Sequence, residues 1–117
     1  QGYLGNNLDV TLDFGARAEI STIVLTDLKN QNAKIFLPNK VTFEVSNDGE
    51  RFVEIYRKPL FHGREEDIDI YKYEFSYKNP RKTRYLRIRA DNMGICPPWH
   101  NAAGDRAWMM FDELVVE

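Results

Sequence analysis

Cysteine is almost absent from this sequence of 117 residues, in which Cys96 is the single example. One cysteine cannot form an internal disulfide, and neither a Cys-Cys nor a Cys-His zinc motif can be assembled around it. There is also no apolar run near the roughly 18 residues that a membrane-spanning helix needs. The sequence therefore excludes a disulfide scaffold and a zinc module, and it predicts no membrane span.

The sequence has no large excess of either charge. Sixteen Lys and Arg residues stand against eighteen Asp and Glu residues, so the formal net charge is -2. Proteins that bind nucleic acid usually present an excess of positive charge, and we therefore expect no nucleic-acid partner. One basic stretch alternates along a predicted strand, which is typical of the solvent face of a sheet. Its members are Arg81, Lys82, Arg84, Arg87 and Arg89.

What the sequence does contain is enough apolar material for one core. Hydrophobic residues make up 43% of the chain and aromatic residues 13%, which suits a folded domain without metals or disulfides. The chain starts at Gln1 in a stretch that resembles the middle of a loop. We expect one domain over residues 1–117, cut from a longer protein and without its N-terminal portion.

Apolar residues alternate with polar ones along much of the chain, as in half-buried strands. Val41, Phe43 and Val45, for example, alternate with polar residues. This period predicts seven strands and little helix, at 8–14, 19–28, 41–46, 52–56, 67–77, 84–90 and 107–116. The Asp48-Gly49 pair predicts a tight hairpin. The expected fold class is all-β, an antiparallel β-sandwich.

The connections fall into two groups of different length. If neighbouring strands are antiparallel, the short turns 15–18, 47–51 and 78–83 share one end of the sandwich. The long segments then share the other end, and they are 1–7, 29–40, 57–66 and 91–106. Long loops on a rigid scaffold are where binding sites usually lie. We therefore place the candidate binding site on this long-loop rim.

The loop 91–106 is the richest in binding residues, because Trp99, His100 and Asn101 are consecutive. An aromatic face beside hydrogen-bonding groups suits a neutral sugar, whose C–H face packs on a ring while its hydroxyls need polar partners. Two alternatives stay open. Trp99 could pack within its own loop, and His100 could hold the backbone.

The loop 57–66 adds Phe61, His62 and Arg64, with Gly63 permitting a tight bend between them. The alternative is an exposed polar tip with one aromatic residue. No nucleophile elbow surrounds any serine, and Cys96 has no neighbouring cation in sequence that would activate it. We therefore predict no catalytic residue in this chain.

The order of these motifs resembles the coagulation factor V/VIII type C, or discoidin-like, family. The resemblance rests on residues 10–15, 20–25, 41–52, 84–88 and 111–115. The stretches Asn-Met-Gly-Ile-Cys-Pro-Pro-Trp-His at 92–100 and Gly-Asp-Arg-Ala-Trp at 104–108 are similar to the C-terminal module of bacterial family 20 glycoside hydrolases, the chitobiases and β-N-acetylhexosaminidases.

This resemblance implies a galactose-binding-like jelly roll and, as in family 32 modules, carbohydrate binding on the loop rim. It implies a secreted, periplasmic or cell-surface location, and a catalytic domain in the same polypeptide as a partner. Glu113 matches an acidic position that often joins a structural calcium site, which would belong to the intact module. No other cofactor is expected.

Two functions therefore remain. The chain is a non-catalytic accessory module that binds glycan weakly at the rim, or it is a structural or protein-interaction module that packs against the catalytic domain without binding sugar. Exposure of the rings of Trp99 and Phe61 discriminates between them.

Overall fold

The computed structural model describes residues 2–61, 63–65 and 67–117. In this part of the chain there are six strands and a single short 3-10 helix, Gln31–Ala33. The strands are β1 (Gly2–Leu4), β2 (Leu8–Lys29), β3 (Lys40–Ser46), β4 (Val53–Pro59), β5 (Asp69–Asp91) and β6 (Trp108–Val116). The predicted all-β class is confirmed. None of the described residues belongs to a helix long and apolar enough to cross a membrane.

The strands follow the order β1-β6-β2-β5-β3-β4, and all paired neighbours are antiparallel. Two of them are very long, with 22 residues in β2 and 23 in β5. Residues 8–13 of β2 pair with 85–90 of β5, whereas residues 22–29 pair with 69–76. The first half of this long pair lies beside β3 and the second beside β6. Each long strand thus contributes to both layers of an open sandwich.

The predicted division of these strands is wrong. Segments 15–18 and 78–83 do not connect separate strands but lie inside β2 and β5, where the register between them shifts. Gly15 has a positive φ of 83° and its N–H bonds the Asp13 carboxylate at 2.8 Å. Such a local irregularity bends a strand without ending it. The seven predicted strands are therefore five in the described residues, and the short strand β1 brings the number to six.

The N-terminal segment is a second correction. Residues 1–7 were expected to form one long loop, but Gly2–Leu4 adds a short edge strand to β6. A three-residue strand has no room for a visible alternation of apolar and polar residues. The predicted hairpin at Asp48-Gly49 is confirmed, since it joins β3 to β4 with Gly49 at a φ of 78°.

The main core lies between the two layers and draws side chains from both. Val41 and Leu86 come from one layer and Ile23 and Met109 from the other, and all four are almost fully buried. A smaller cluster formed by Phe36, Cys96 and Ala107 lies beneath the long loops. This second cluster gives the rim a packed base.

Candidate functional site

Three of the long loops meet around a cavity of about 270 Å³. This cavity, called the rim cavity below, is lined by Gln31, Asn32, Arg64, Glu65, Trp99, His100 and Asn101. The first two come from loop 29–40, the next two from loop 57–66 and the last three from loop 91–106. The structure thus brings together Arg64, Trp99, His100 and Asn101, four of the residues proposed from the sequence.

Gln31 holds the three loops together. Its side-chain Nε2 donates to the Gly63 carbonyl at 2.9 Å, and its Oε1 accepts from the Glu65 N–H at 2.7 Å. Its own backbone carbonyl accepts a hydrogen bond from His100. The residue is only 7% exposed, so these hydrogen bonds satisfy polar groups that would otherwise be buried without partners. The sequence places Gln31 in the rim loop 29–40 with its polar neighbours 30 and 32, but no local signal marks it as the residue that joins the loops.

His100 forms hydrogen bonds with backbone groups of two loops. Its Nδ1 accepts the Ala102 N–H at 2.9 Å. The hydrogen of the neutral ring is therefore on Nε2, which donates to the Gln31 carbonyl at 2.6 Å. The ring also meets the edge of Phe36, with centroids 5.4 Å apart. Both nitrogens are thus engaged by the protein, and His100 shapes the cavity without a free ring nitrogen.

Trp99 is half-buried, so it is neither a fully exposed platform for a ligand nor a fully packed residue of its own loop. It packs edge-to-face on Phe36 with centroids 6.2 Å apart, at the border of the small cluster beneath the rim. The Arg64 guanidinium lies 5.3 Å from the centroid of the indole, within the range of a cation–π contact. A sugar stacking on that side of the indole has to displace or rearrange Arg64.

The polar groups free to meet a ligand lie mainly at Asn32 and Asn101. Both side chains are exposed, and neither has a hydrogen-bond partner within residues 2–61, 63–65 and 67–117. Glu65 forms an ion pair with the largely buried Lys29, which offsets its negative charge. The rim cavity therefore combines an aromatic ring, two free amides and the Arg64 cation.

Phe61 lies just outside the rim cavity and is 90% exposed. Its ring is close to Gly63, because a Cβ added there would lie 3.2 Å from the Phe61 ring. His62, the remaining candidate of this loop, lies outside the described residues.

Glu113 is exposed on β6, opposite Thr26 of β2. The described residues contain no group of three or more His, Cys, Asp or Glu side chains placed to hold a metal. Calcium takes six to eight oxygen ligands, so Glu113 and its neighbour Asp112 do not form such a site by themselves. The calcium site of an intact module therefore stays a prediction.

Cys96 is buried in the small cluster beneath the loops, and burial raises the pKa of its thiol. A raised pKa leaves little thiolate near neutral pH, and the thiolate is the reactive form. The environment of Cys96 is that of a packing residue.

Two solved structures have a similar fold. One is the C-terminal domain of a chitobiase from Bacteroides fragilis, with 19% identity and a TM-score of 0.55, and the match covers 96% of this chain and 63% of that one. The other is CpGH89CBM32-5 from Clostridium perfringens, solved in complex with GalNAc-β-1,3-galactose. It has 23% identity and a TM-score of 0.53, covering 95% of this chain and 67% of that one.

The chain therefore spans about two thirds of the length of each of these structures. A comparison with curated proteins finds no match. The family model of the F5/8 type C domain matches residues 4–114, which is nearly the whole sequence. This chain belongs to the F5/8 type C domain family.

Proposed function

We propose that this chain is a non-catalytic carbohydrate-binding module and that its glycan site is the rim cavity. The observation that carries the proposal is the meeting of Trp99, Asn32 and Asn101 from two separate loops around one concave surface. An indole face offers packing for sugar C–H groups, while side-chain amides both donate to and accept from hydroxyls. Neutral sugars require this combination.

The rigidity of the rim supports this function. Gln31 and His100 join the loops by hydrogen bonds, and Phe36 supports Trp99 from below. A preformed site loses little conformational entropy when ligand binds. At about 270 Å³, however, the rim cavity is near the lower limit of small-molecule pockets. We therefore propose weak binding to one or two terminal sugar units.

The family and its fold support a wider proposal about the parent protein. One similar structure is named as a chitobiase domain, and the other was solved with a bound disaccharide. We infer that the module accompanies a glycoside hydrolase, of the β-N-acetylhexosaminidase type, in a secreted, periplasmic or cell-surface protein. Its catalytic domain would be the partner of the module.

Phe61 favours a second candidate function, in which the rim contacts protein instead of sugar. Phe61 is 90% exposed beside the rim, and aromatic side chains are enriched at protein–protein interfaces. In this alternative the module packs against the catalytic domain as a spacer, and the free amides of the rim lie at the edge of that contact.

Calorimetric titration with neutral disaccharides ending in GlcNAc, GalNAc or galactose tests the proposal. The double variant Asn32→Ala/Asn101→Ala removes the two free amides, and we expect about tenfold weaker binding or more, since each hydrogen bond contributes about 1 kcal/mol. Asn79→Ala, an exposed asparagine at the other end of the sandwich, is the matched control. Equal affinity of the double variant, or no binding of any sugar, would refute the proposed function.

A further inference from the structure

A second and larger cavity lies at the end of the sandwich opposite the rim. Its volume is about 570 Å³. Strand β3 runs from Lys40, near the rim, to Ser46, which lines this cavity. The cavity is formed where the β3–β4 hairpin meets the bends of β2 and β5. Four cationic side chains line it, namely Arg17, Arg51, Arg81 and Lys82, and we call it the basic hollow.

Two of these cations, Arg81 and Lys82, belong to the basic stretch noted in the sequence, and they differ from its other three members. Further along β5, Arg84 pairs with Asp13 at 2.9 Å, Arg87 with Glu44, and Arg89 with Asp9 at 3.4 Å. Each of those three arginines is therefore balanced by a carboxylate, and Arg87 is only 22% exposed, so the predicted solvent face holds only in part. None of the four cations of the basic hollow has an ion-pair partner among the described residues.

The carboxylates nearby offset only part of this positive charge. Asp48 lines the basic hollow, but its Oδ1 accepts from the N–H groups of Glu50 and Arg51 and from the Ser46 hydroxyl, all at 2.9 Å. These hydrogen bonds lower the pKa of Asp48 to about 2 and direct the carboxylate into its own turn. Glu19 is opposite Lys82 in the strand register, yet no ion pair joins them. Among the described residues that line the basic hollow, four cations thus stand against one carboxylate, which is hydrogen-bonded within its own turn.

The wall of the basic hollow is apolar. Val45, Val53 and Ile55 contribute side chains from the hairpin, and Tyr77 contributes an aromatic ring from β5. The Arg81 guanidinium lies over that ring, 5.8 Å from its centroid. Its orientation is therefore partly fixed. The basic hollow combines a ring face with guanidinium donors that match the oxygens of sulfate or carboxylate groups.

We propose that the basic hollow is a second binding site of this module, for an acidic oligosaccharide that carries sulfate or carboxylate groups. The anionic groups would meet Arg17, Arg51, Arg81 and Lys82, while a sugar ring packs on Tyr77 and the neighbouring valines. The choice of a saccharide as the carrier of the charge rests on the proposed function. The anion chemistry itself rests on the hollow alone.

The shape and charge of the molecule favour a short acidic saccharide over a nucleic acid. A nucleic acid is bound along an extended positive groove, commonly with several exposed aromatic rings. Here the positive charge is confined to one hollow of a chain whose net charge is -2. That hollow has space for a few sugar units.

The test is a titration of the 117-residue chain with a chondroitin sulfate tetrasaccharide, using its desulfated form and inorganic sulfate as comparison ligands. We expect binding of the sulfated tetrasaccharide that weakens as salt is raised, weaker binding of the desulfated form, which keeps its carboxylates, and much weaker binding of inorganic sulfate. Arg81→Gln/Lys82→Gln should weaken this binding about tenfold or more, because it removes two charge-assisted contacts. Lys58→Gln/Lys72→Gln removes the same charge from exposed positions outside both cavities and should bind like the wild type.

Thermal melting shows whether each variant is folded, and the hollow variant must still bind any neutral disaccharide that the wild type binds at the rim. If Asn32→Ala/Asn101→Ala loses the neutral sugar but keeps the sulfated one, the two sites are separate. Equal weakening of binding by Arg81→Gln/Lys82→Gln and by the control Lys58→Gln/Lys72→Gln would contradict the proposal. So would tighter binding of a polyglutamate peptide or a single-stranded oligonucleotide of equal charge. Failure of neutral sugars alone refutes the rim proposal and leaves the basic hollow supported by its own result.

Discussion

Arg64 and Trp99 are joined by two contacts, since the guanidinium both lies over the indole ring and donates a hydrogen bond to the Trp99 backbone carbonyl. Arg64 comes from loop 57–66 and Trp99 from loop 91–106, so the pair links two loops of the rim. An arginine placed in this way both supports the indole and competes with a ligand for its face. The binding and stability roles of Trp99 are therefore coupled.

Trp99→Ala should affect both stability and binding. Truncating a fully buried aromatic residue costs about 3 to 5 kcal/mol, and because Trp99 is half-buried we expect about 2 kcal/mol. We expect glycan affinity to fall as well, because the stacking surface is removed. Chemical unfolding and calorimetric titration of one preparation measure the two effects. Trp99→Phe keeps a ring on Phe36 and should retain most of the stability; full affinity of the alanine variant would contradict a binding role.

Gln31→Ala should loosen the rim. The substitution leaves the Gly63 carbonyl and the Glu65 N–H without their partner, and because both groups are only partly buried we expect a loss of about 1 kcal/mol. Asn32→Ala is the control, because its exposed side chain makes no such contacts. Amide hydrogen exchange of loop 57–66 should be faster in Gln31→Ala alone. Unchanged exchange there would show that Gln31 does not hold this loop.

Asp27 should make the domain less stable as the pH rises. Burial raises its pKa to about 7, although the Tyr73 hydroxyl donates to its Oδ2 at 2.8 Å. The folded state therefore holds a proton that the unfolded state releases near pH 4. The stabilising contribution is complete below pH 4 and is lost as the pH rises to about 7, by a few kcal/mol in total.

Chemical unfolding of the wild type and of Asp27→Asn at pH 5 and pH 8 measures this slope. The amide keeps the shape of the protonated carboxyl but does not titrate, so the stability of Asp27→Asn should change much less between the two pH values. Equal changes in both proteins would show that Asp27 is not the group responsible.

Gly49→Ala should destabilise the β3–β4 hairpin. Gly49 has a φ of 78°, and a Cβ there would lie 3.1 Å from the Tyr85 ring. The backbone strain alone costs about 1 kcal/mol, and the contact adds to it. Gly104→Ala also has a positive φ but meets no atom within 4 Å, so it separates the two effects. A melting temperature lowered equally by both substitutions would assign the whole effect to the backbone.

The chain should not hydrolyse chromogenic N-acetylglucosaminides. Glycoside hydrolysis needs two carboxyl groups placed on either side of the scissile bond. Among the described residues that line the rim cavity, Glu65 is the one carboxylate, and it is paired with Lys29. Turnover by the purified chain that disappears in Glu65→Gln would contradict this prediction.

The sequence was most informative where a pattern is local. Alternating runs such as Val41 to Val45 predicted strands, and Asp48-Gly49 predicted the hairpin, because period and turn chemistry act over a few residues. The predicted turns 15–18 and 78–83, which contain Gly15 and Pro80, were misleading, since glycine and proline also occur where one long strand bends between layers. Local sequence does not distinguish a bend from a turn.

For the candidate site, the loops could be predicted but their contacts could not. Long loops were placed on one rim from strand alternation alone, and three of them do meet there. The hydrogen bonds of Gln31 join residues more than 30 positions apart, so no local pattern indicates them. The same limit applied to the basic stretch on β5, where the cations of the hollow and the paired arginines look alike in sequence.

The most direct test of the account is a two-dimensional amide NMR titration of the labelled chain with the neutral disaccharides that bind. The account predicts saturable shifts that concentrate on residues 31–32, 64–65 and 99–101, around the rim cavity, with little change near Asp48 and Arg81. Shifts confined to another surface, or no saturable shift with any neutral sugar, would contradict the claim that the rim cavity binds glycan.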